Sequence, residues 1–277
     1  MKQNLSRSKV KSFQKKIWDF YATNRRDFPW RRTQDPYRIF ISEVMLQQTQ
    51  SKRVKEKYKE FLLAFPSFKS LAATTLPEVL RVWQGLGYNR RARFLLKSAR
   101  EVAQNYKGHL PKKEDELVKF PGIGKATAGS ITAFAFNVPS VFIETNIRRV
   151  FIHEFFRGKK DVSDEVVRKL VSMTLSKDRP RDWYYALMDY GARLSKILPQ
   201  NPNRLSRYYA KQSVFSGSRR EARGAVLRFL LKNKLGKESK IIQETSLLAK
   251  NIHEAIWGLE KEGIIEIKKG LYKLRQV

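Results

Sequence analysis

The chain has 277 residues, with 57 lysines and arginines against 26 aspartates and glutamates, a formal net charge of +31, and no cysteine. That length holds two or three small domains, and the charge points to a polyanionic partner bound in a salt-sensitive way. Without cysteine, disulfides, zinc–cysteine sites and iron–sulfur clusters on protein thiolates are excluded, so the expectation is no cofactor and no metal. No apolar run reaches the ~18–20 residues of a membrane-spanning helix. Met1 to Lys16 is polar and basic without the apolar core of a secretory signal. A soluble intracellular protein of the cytoplasm or nucleoid, acting on nucleic acid rather than at a membrane, is the expected class.

Lys2 to Lys16 is a basic lead-in that either frays or begins a helix running on through Ile17, Trp18 and Phe20. Phe28-Pro29-Trp30-Arg31-Arg32 breaks that helix ahead of a turn signal at Asp35-Pro36-Tyr37. Phe40 to Gln50, FISEVMLQQTQ, reads as a helix with Phe40, Val44 and Leu46 or Gln47 sharing a side. Glu43 stands among Phe40, Ile41, Val44, Met45 and Leu46. A carboxyl in such company has a raised pKa and can hold a proton near neutrality; the plainer alternative is a solvated helix Glu.

Val54 to Phe65 is an amphipathic helix ended by Pro66, and Ser70 to Leu86 holds another with Pro77 near its first turn. Gly85-Leu86-Gly87-Tyr88 closes it, and Asn89 to Tyr106 resumes as a helix rich in arginine. A Tyr on a glycine turn beside Arg90, Arg91 and Arg93 suits a ring that stacks on bases while cations hold phosphates. Alternatively, Tyr88 packs under the turn and the arginines form a solvated face.

Phe120 to Thr132, FPGIGKATAGSIT, reads as helix, tight hairpin, helix, with Lys112 to Lys119 before it and Ala126 to Phe136 after it. Gly122 and Gly124 permit a sharp turn and close backbone approach. The second helix starts at about Lys125, so its free N–H groups form an anion site beside the hairpin, suited to a nucleic-acid phosphate. An ordinary helical hairpin is the bland alternative. Glu144 then precedes Thr145, Asn146 and a helix to about Phe156. It is either a cap or a second carboxylate, held ionised by the helix dipole opposite Glu43.

Two more helices follow, Asp164 to Leu175 and Asp182 to Leu194, with no strand pattern before residue 200. Leu198 to Asn203 and Val214 to Ser218 read as linker-like breaks. Helices over Arg219–Asn233, Ile241–Leu247 and Ala249–Glu262 precede a strand, a basic turn at Lys268-Lys269-Gly270 and a second strand. Three helices followed by a β-hairpin is the order of a winged helix; a small helical interaction domain is the alternative.

The segments FISEVMLQQTQ, VWQGLGYNRRARFL, FPGIGKATAG and ETNIRRV, in this order, resemble the helix-hairpin-helix DNA glycosylases, most closely the A/G-specific adenine branch. The resemblance covers about Phe28 to Leu194 and implies a mainly α, two-lobed fold with DNA bent across a cleft. It implies Glu43 as the proton donor to the leaving base and Glu144 as its partner carboxylate. It implies Gln48 and Tyr88 as wedges in the duplex. Trp30 and Arg31, with Leu46, Ala126, Asn146 and Tyr185, are implied to line the base pocket. Gly122, Ile123, Gly124 and Lys125, with Arg90 and Arg91, are implied to hold the DNA backbone. Base flipping and a protonated carboxyl paired with an ionised one fit N-glycosidic chemistry.

Four departures from the family pattern stand out. Glu144 occupies an Asp position, which moves the carboxylate by about one C–C bond, ~1.5 Å. Ala126 occupies the position of a lyase lysine, and Lys125 lies about 100° around the helix from it, so a strand-cleaving Schiff base is not expected. The cluster cysteines after Gly191-Ala192 are absent, and packing by Trp183, Tyr184 and Tyr190 is expected to hold that loop instead. Tyr185 replaces the polar reader of adenine, and the tail is too short for the usual domain that reads 8-oxoguanine.

The expected organisation is a lead-in over 1–27, a catalytic region over 28–197, a linker over 198–218 and a winged-helix-like domain over 219–277. The expected activity is a monofunctional glycosylase of base excision repair, acting as a monomer on double-stranded DNA with a mispaired or damaged base. Adenine opposite 8-oxoguanine or guanine is the first substrate. Thymine or uracil in a mismatch, and a non-catalytic DNA-binding role, are the alternatives.

Overall fold

A computed structural model describes residues 5–210 and 215–276; parts of the expected lead-in and linker lie outside the described residues. In chain order the first helices are α1 (Arg7–Asn24), α2 (Pro36–Leu46), α3 (Ser51–Ala64), α4 (Phe68–Ala72), α5 (Leu76–Trp83), α6 (Arg90–Asn105) and α7 (Glu114–Leu117). There follow α8 (Lys125–Phe136), α9 (Thr145–Phe155), α10 (Asp164–Thr174) and α11 (Pro180–Ile197). Helix α12 (Arg219–Asn233), strand β1 (Leu235–Gly236), α13 (Glu238–Thr245), α14 (Ala249–Lys261), β2 (Ile265–Lys268) and β3 (Leu271–Leu274) complete the chain. The fold is mainly helical, as expected. It divides into two compact units, one of Met1–Glu43, Pro111–Lys119 and Ile123–Lys211, the other of Val44–Leu110, Phe120–Gly122 and Gln212–Val277.

The first unit is built around α11, whose Trp183, Tyr184, Ala186 and Leu187 are fully buried. Phe13 and Trp18 of α1 meet the Trp183 ring at 6.0 and 5.4 Å between centroids. Tyr184 packs on Phe142 at 4.0 Å and donates its hydroxyl to the Ser140 carbonyl. Such aromatic clusters combine large apolar burial with preferred ring geometry.

The start of α9 lies against α11 so closely that a Cβ at Gly191 would fall on the Asn146 carbonyl. Arg149 closes the contact from α9, donating to the Gly191 carbonyl at 2.9 Å and to Asn146 Oδ1 at 2.7 Å. The segment after α11 is held differently from expectation. Trp183 and Tyr184 serve the helical core, while the segment itself is tied by hydrogen bonds. Asn203 donates to the Thr145 carbonyl at 3.0 Å and Arg149 donates to Asn201 Oδ1 at 3.1 Å. Two short amides thus anchor a loop that has no thiolate to hold a cluster.

In the second unit, α3, α5 and α6 bury Tyr58, Phe61, Trp83 and Leu95. The winged helix is complete, because β1 adds a third strand to the expected hairpin in the order β1-β3-β2, all antiparallel. Two residues are too few to show a strand period, which is why the sequence reading missed β1. The β2–β3 turn has positive φ at Lys269 (51°) and Gly270 (73°), the tight hairpin geometry that suits right-twisted strands.

We expect Gly191→Ala to lower stability by ~1–3 kcal/mol, since the obstacle is backbone and cannot rotate aside. Thermal melting with near-native secondary structure checks this, and an unchanged melting temperature would contradict the contact.

Candidate active site

Glu43 and Glu144 both belong to the first unit, and each keeps part of its surface exposed. Glu43 lies within the stretch of α2 that carries buried Phe40, Ile41, Ser42, Val44 and Met45. The Ser130 hydroxyl of α8 lies 2.5 Å from Glu43 Oε2 and 3.0 Å from the Thr127 carbonyl. A hydroxyl has one proton. With Glu43 ionised, Ser130 donates to it; with Glu43 protonated, Glu43 donates to Ser130 and Ser130 turns to Thr127. The site therefore satisfies both protonation states without moving a heavy atom.

Burial pushes the Glu43 pKa up to about 7, with the nearby Glu144 charge adding to the rise and the Ser130 bond and Arg31 opposing it. The raised pKa that the apolar neighbours of Glu43 suggested is present.

Glu144 is the N-cap of α9, with Oε1 accepting from the Asn146 and Ile147 amides at 2.7 and 2.8 Å. Oε2 accepts from the Asn146 side chain at 3.2 Å. Capping and proximity to Glu43 are thus not exclusive. Burial nonetheless outweighs these donors and Arg149, and the Glu144 pKa is raised. The donors at the helix start therefore work against burial in holding the charge on Glu144. Two neighbouring carboxyls titrate as a pair. The first proton belongs on Glu43, whose serine partner can accept a donor, and the charge on Glu144, whose oxygens already face three N–H groups.

The neighbouring wall rests on Asp189 of α11, a buried carboxylate that takes the Arg31 guanidinium in a two-point bond at 2.7 and 2.8 Å. Arg26 adds its backbone amide at 2.8 Å and its Nε at 2.5 Å. The fork geometry fixes the guanidinium plane. Arg31 then lies 4.4 Å from the Tyr185 ring centre, and Tyr185 stacks on Phe134 at 4.5 Å. Burial raises the Tyr185 phenol pKa, with Glu43 adding to the rise. Its hydroxyl is buried and has no hydrogen-bond partner among the described residues, and Arg31 Nε is in the same state. Unpaired buried polar atoms are uncommon, and a polar ligand edge would satisfy both.

Trp30 is buried and stacks on Phe28 at 4.8 Å, so it backs this wall rather than standing open. Asn146 is held through Glu144 and Arg149. Ala126 and Lys125 are exposed on the first turn of α8. Leu46 ends α2 and belongs to the second unit.

In the hairpin, Gly122 has φ +77° while Gly124, the N-cap of α8, does not need positive φ. Gly122, Gly124 and Lys125 are exposed and the Ile123 side chain is buried. A Cβ at Gly122 would approach the Phe94 ring to 2.6 Å, so close packing as well as backbone angle requires glycine there.

Gln48 is not on the helix, as the sequence reading had it. The helix stops at Leu46, and Gln48 is exposed on the next turn with φ 56°. Tyr88 also has positive φ, 47°. Arg91 corrects a second expectation. It is buried, and its guanidinium donates to the carbonyls of Val44, Met45, Gln47, Leu86 and Gly87 and to the Thr49 hydroxyl at 2.6–3.2 Å. It ties the two turns together instead of reaching phosphate, whereas Arg90 is exposed.

Sequence reasoning missed Ser130, Arg26 and Asp189. Asp189 could have been found, since it sits in ALMDYGA as Glu43 sits in FISEVML.

Residues 41–174 match the model of the HhH-GPD superfamily of base excision DNA repair proteins. The chain belongs to that superfamily. It is 36% identical over 187 residues to an adenine DNA glycosylase of Buchnera aphidicola, covering 66% of this chain and 52% of that protein. It is 31% identical over 217 residues to a thymine/uracil-DNA glycosylase of Methanothermobacter thermautotrophicus, covering 74% of this chain and 97% of that protein. The solved structure of a thermostable thymine-DNA glycosylase superposes with a TM-score of 0.62 at 28% identity, over 73% of this chain and 97% of the other. The chain spans about half the length of the adenine glycosylase it matches. The iron–sulfur cluster implied by the resemblance does not fit this chain, which has no cysteine.

Two outcomes follow from the carboxyl pair. A carboxyl whose pKa rises on folding, here from 4.5 to about 7, costs no stability below the lower value and its full penalty above the upper one. Glu43→Gln should therefore raise stability at pH 8 but not at pH 4, by at most ~3 kcal/mol for a partly exposed group. Denaturant unfolding at both pH values checks this. Ser130→Ala removes a bond that lowers the Glu43 pKa, so the alkaline limb of any Glu43-dependent rate should move to higher pH. A shift to lower pH would exclude the relay.

Proposed function

We propose that the chain is a monofunctional DNA glycosylase of base excision repair. It flips a mispaired base out of double-stranded DNA and hydrolyses its N-glycosidic bond, with adenine opposite 8-oxoguanine or guanine as the first substrate. The observation that carries this reading is the Glu43 carboxyl itself, bonded to the Ser130 hydroxyl at 2.5 Å and raised in pKa by burial and by the neighbouring Glu144. A purine leaves readily only when a ring nitrogen takes a proton, and a carboxyl of raised pKa is matched to that transfer.

In the proposed reaction, Glu43 gives its proton to the departing base while the C–N electron pair leaves with it. Glu144, carrying the charge of the pair, stabilises the oxocarbenium-like sugar. Water then adds to C1′ and loses a proton, which restores Glu43. The unpaired Tyr185 hydroxyl and Arg31 Nε bond the edge of the flipped base. Gln48 and Tyr88 fill the vacated stack, and Gly122, Gly124, Lys125 and Arg90 hold the backbone. Ala126 offers no amine at the lyase position, so borohydride should trap no covalent DNA adduct. Efficient trapping abolished by Lys125→Ala would overturn that point.

The second reading, thymine or uracil in a mismatch, is favoured by the relative that the chain covers almost whole and by a phenol where the adenine branch has another polar group. Labelled duplexes carrying A:8-oxoG, A:G, T:G or U:G, treated with protein and then alkali, separate the readings. Cleavage of an adenine strand supports the first and cleavage only of T:G or U:G the second. Binding without cleavage supports a DNA-binding protein without activity.

Glu43→Gln should bind the preferred duplex and lose excision by at least ~100-fold. Glu144→Gln should lose excision too, and also ~1 kcal/mol of stability through the lost cap. Single-turnover rates and melting temperatures measure these losses, and an active Glu144→Gln would leave Glu144 a cap alone.

A further inference from the structure

Where α8 ends and α11 begins, the first unit carries a recess of about 370 Å³. That volume lies within the ordinary range for ligand sites, roughly 300–1,000 Å³. Four arginines line it: Arg31, Arg32, Arg179 and Arg181. Thr33, Gln34 and Asn137 add polar groups, Asp182 is the one acid, and no apolar residue contributes. Apart from Arg31, none of these residues enters the chemistry above. Such a lining offers no apolar floor for a base. It has the chemistry of an oxyanion site, because guanidinium forks match the paired oxygens of a phosphate, and amides and a hydroxyl can donate to the oxygens that remain.

Carboxylates account for three of the four cations. Asp189 takes both Nη atoms of Arg31 and is shared with Arg26. Asp27 pairs with Arg32, and Asp182 pairs with Arg179 at 3.0 Å. The side chains of Arg32 and Arg179 are 71% and 63% exposed. Ion pairs so open to water are weak, and both guanidiniums can turn to a doubly charged ligand.

Arg181 has no carboxylate partner among the described residues. Its Nη2 donates to the Ala135 carbonyl at 3.2 Å, and its Nε is buried with no hydrogen-bond partner. A cation at a helix C-terminus explains the first contact. An unpaired buried donor is uncommon, and an oxyanion drawn against this guanidinium supplies the acceptor it lacks. Two groups oppose an anion here. Asp182 is held by Arg179, and the carbonyl end of α8 is met by the N-terminal end of α11.

The recess lies at the far end of α8 from Lys125. The helix has 12 residues, which puts roughly 18 Å between its ends, so one phosphate cannot occupy both places.

We propose that this recess is a second phosphate site, which takes the phosphate of a nucleic-acid strand or of a free nucleotide without reading its base. The proposal does not depend on the glycosylase reading.

The test uses the full chain and three variants, each of which lowers the net charge by one. Arg181→Gln removes the unpaired Nε. Gln34→Glu places a carboxylate in the recess from an exposed position, and Lys177→Gln, exposed and outside the recess, is the control. Arginine Nε–H resonances are followed as inorganic phosphate, thymidine 5′-monophosphate or single-stranded oligothymidylate is added at constant ionic strength. Binding of labelled oligothymidylate is also measured against salt.

The parent should show a saturable shift of the Arg181 Nε–H signal. Gln34→Glu should weaken that response about tenfold, the scale of one hydrogen bond to a charged group, and Lys177→Gln should leave it unchanged. For a strand, Arg181→Gln should reduce the slope of log K against log salt by about 0.7, the share of one phosphate. A smaller slope assigns the site to a strand. An unaltered slope with a response to phosphate and the monophosphate assigns it to the free forms. Because Arg181 also ties the end of α8, Gln34→Glu carries the test if Arg181→Gln does not fold. No Arg181 shift with any of the three ligands overturns the proposal, and so does equal weakening by Gln34→Glu and Lys177→Gln.

Discussion

A carboxylate removed from water must be surrounded by donors or give up its charge. Asp189 is surrounded: two guanidiniums and a backbone amide converge on its two oxygens. The consequence reaches well beyond the ion pair. The segment from Arg26 to Arg31 is fastened to the middle of α11, and Arg31 acquires one orientation, over Tyr185. That guanidinium is also close enough to oppose the rise of the Glu43 pKa. Without Asp189 the wall beside the carboxyl pair would be a loop with two mobile cations. With it, the wall is fastened to the helix that carries it, as a preorganised site requires.

The second unit uses the opposite charge in the same way. Arg91 is buried and spends its donors on carbonyls that the turns after α2 and α5 leave without a backbone donor. Orphan carbonyls at helix ends must find donors, and a single guanidinium supplies several. That is why two turns of unusual conformation, each with a non-glycine residue at positive φ, persist beside each other. The sequence marks the arginine plainly, but a cation next to a glycine turn reads equally well as a phosphate ligand. Only the count of carbonyls around it separates the two roles.

Helices with strong periodicity were legible because their pattern is local. The bounds of α3, α6, α8 and α10 fall within a few residues of expectation. The end of α2 was not legible: nothing in LQQT breaks a helix by propensity, and the stop is imposed by Arg91 and by Thr49, which donates to the Leu86 carbonyl at 3.1 Å. Glu43 could be singled out because its neighbours in sequence are also its apolar neighbours in space. Ser130 could not, since its partner lies 87 positions away and a serine inside a helix of small residues carries no signal of its own. Glu144 was legible as a cap and as a candidate carboxylate, but whether burial or the cap dominates depends on the packing of α9 against α11, which no local pattern encodes.

The places where this chain breaks local rules fall into two kinds. Some are answered by ordinary structure. Asn137 takes a left-handed conformation to end α8, Ser246 does so to end α13, and Lys269 does so to make the wing turn. The wall beside the carboxyl pair has no such answer. Burial raises the Glu43 pKa, and the Tyr185 hydroxyl and Arg31 Nε are buried with no hydrogen-bond partner among the described residues. A folded chain tolerates such local conflicts where something other than folding selects them. A phenol and a guanidinium nitrogen left without partners beside a carboxyl of raised pKa are what a wall built to meet a polar ligand edge retains, at a cost that a wall built for stability alone would not carry.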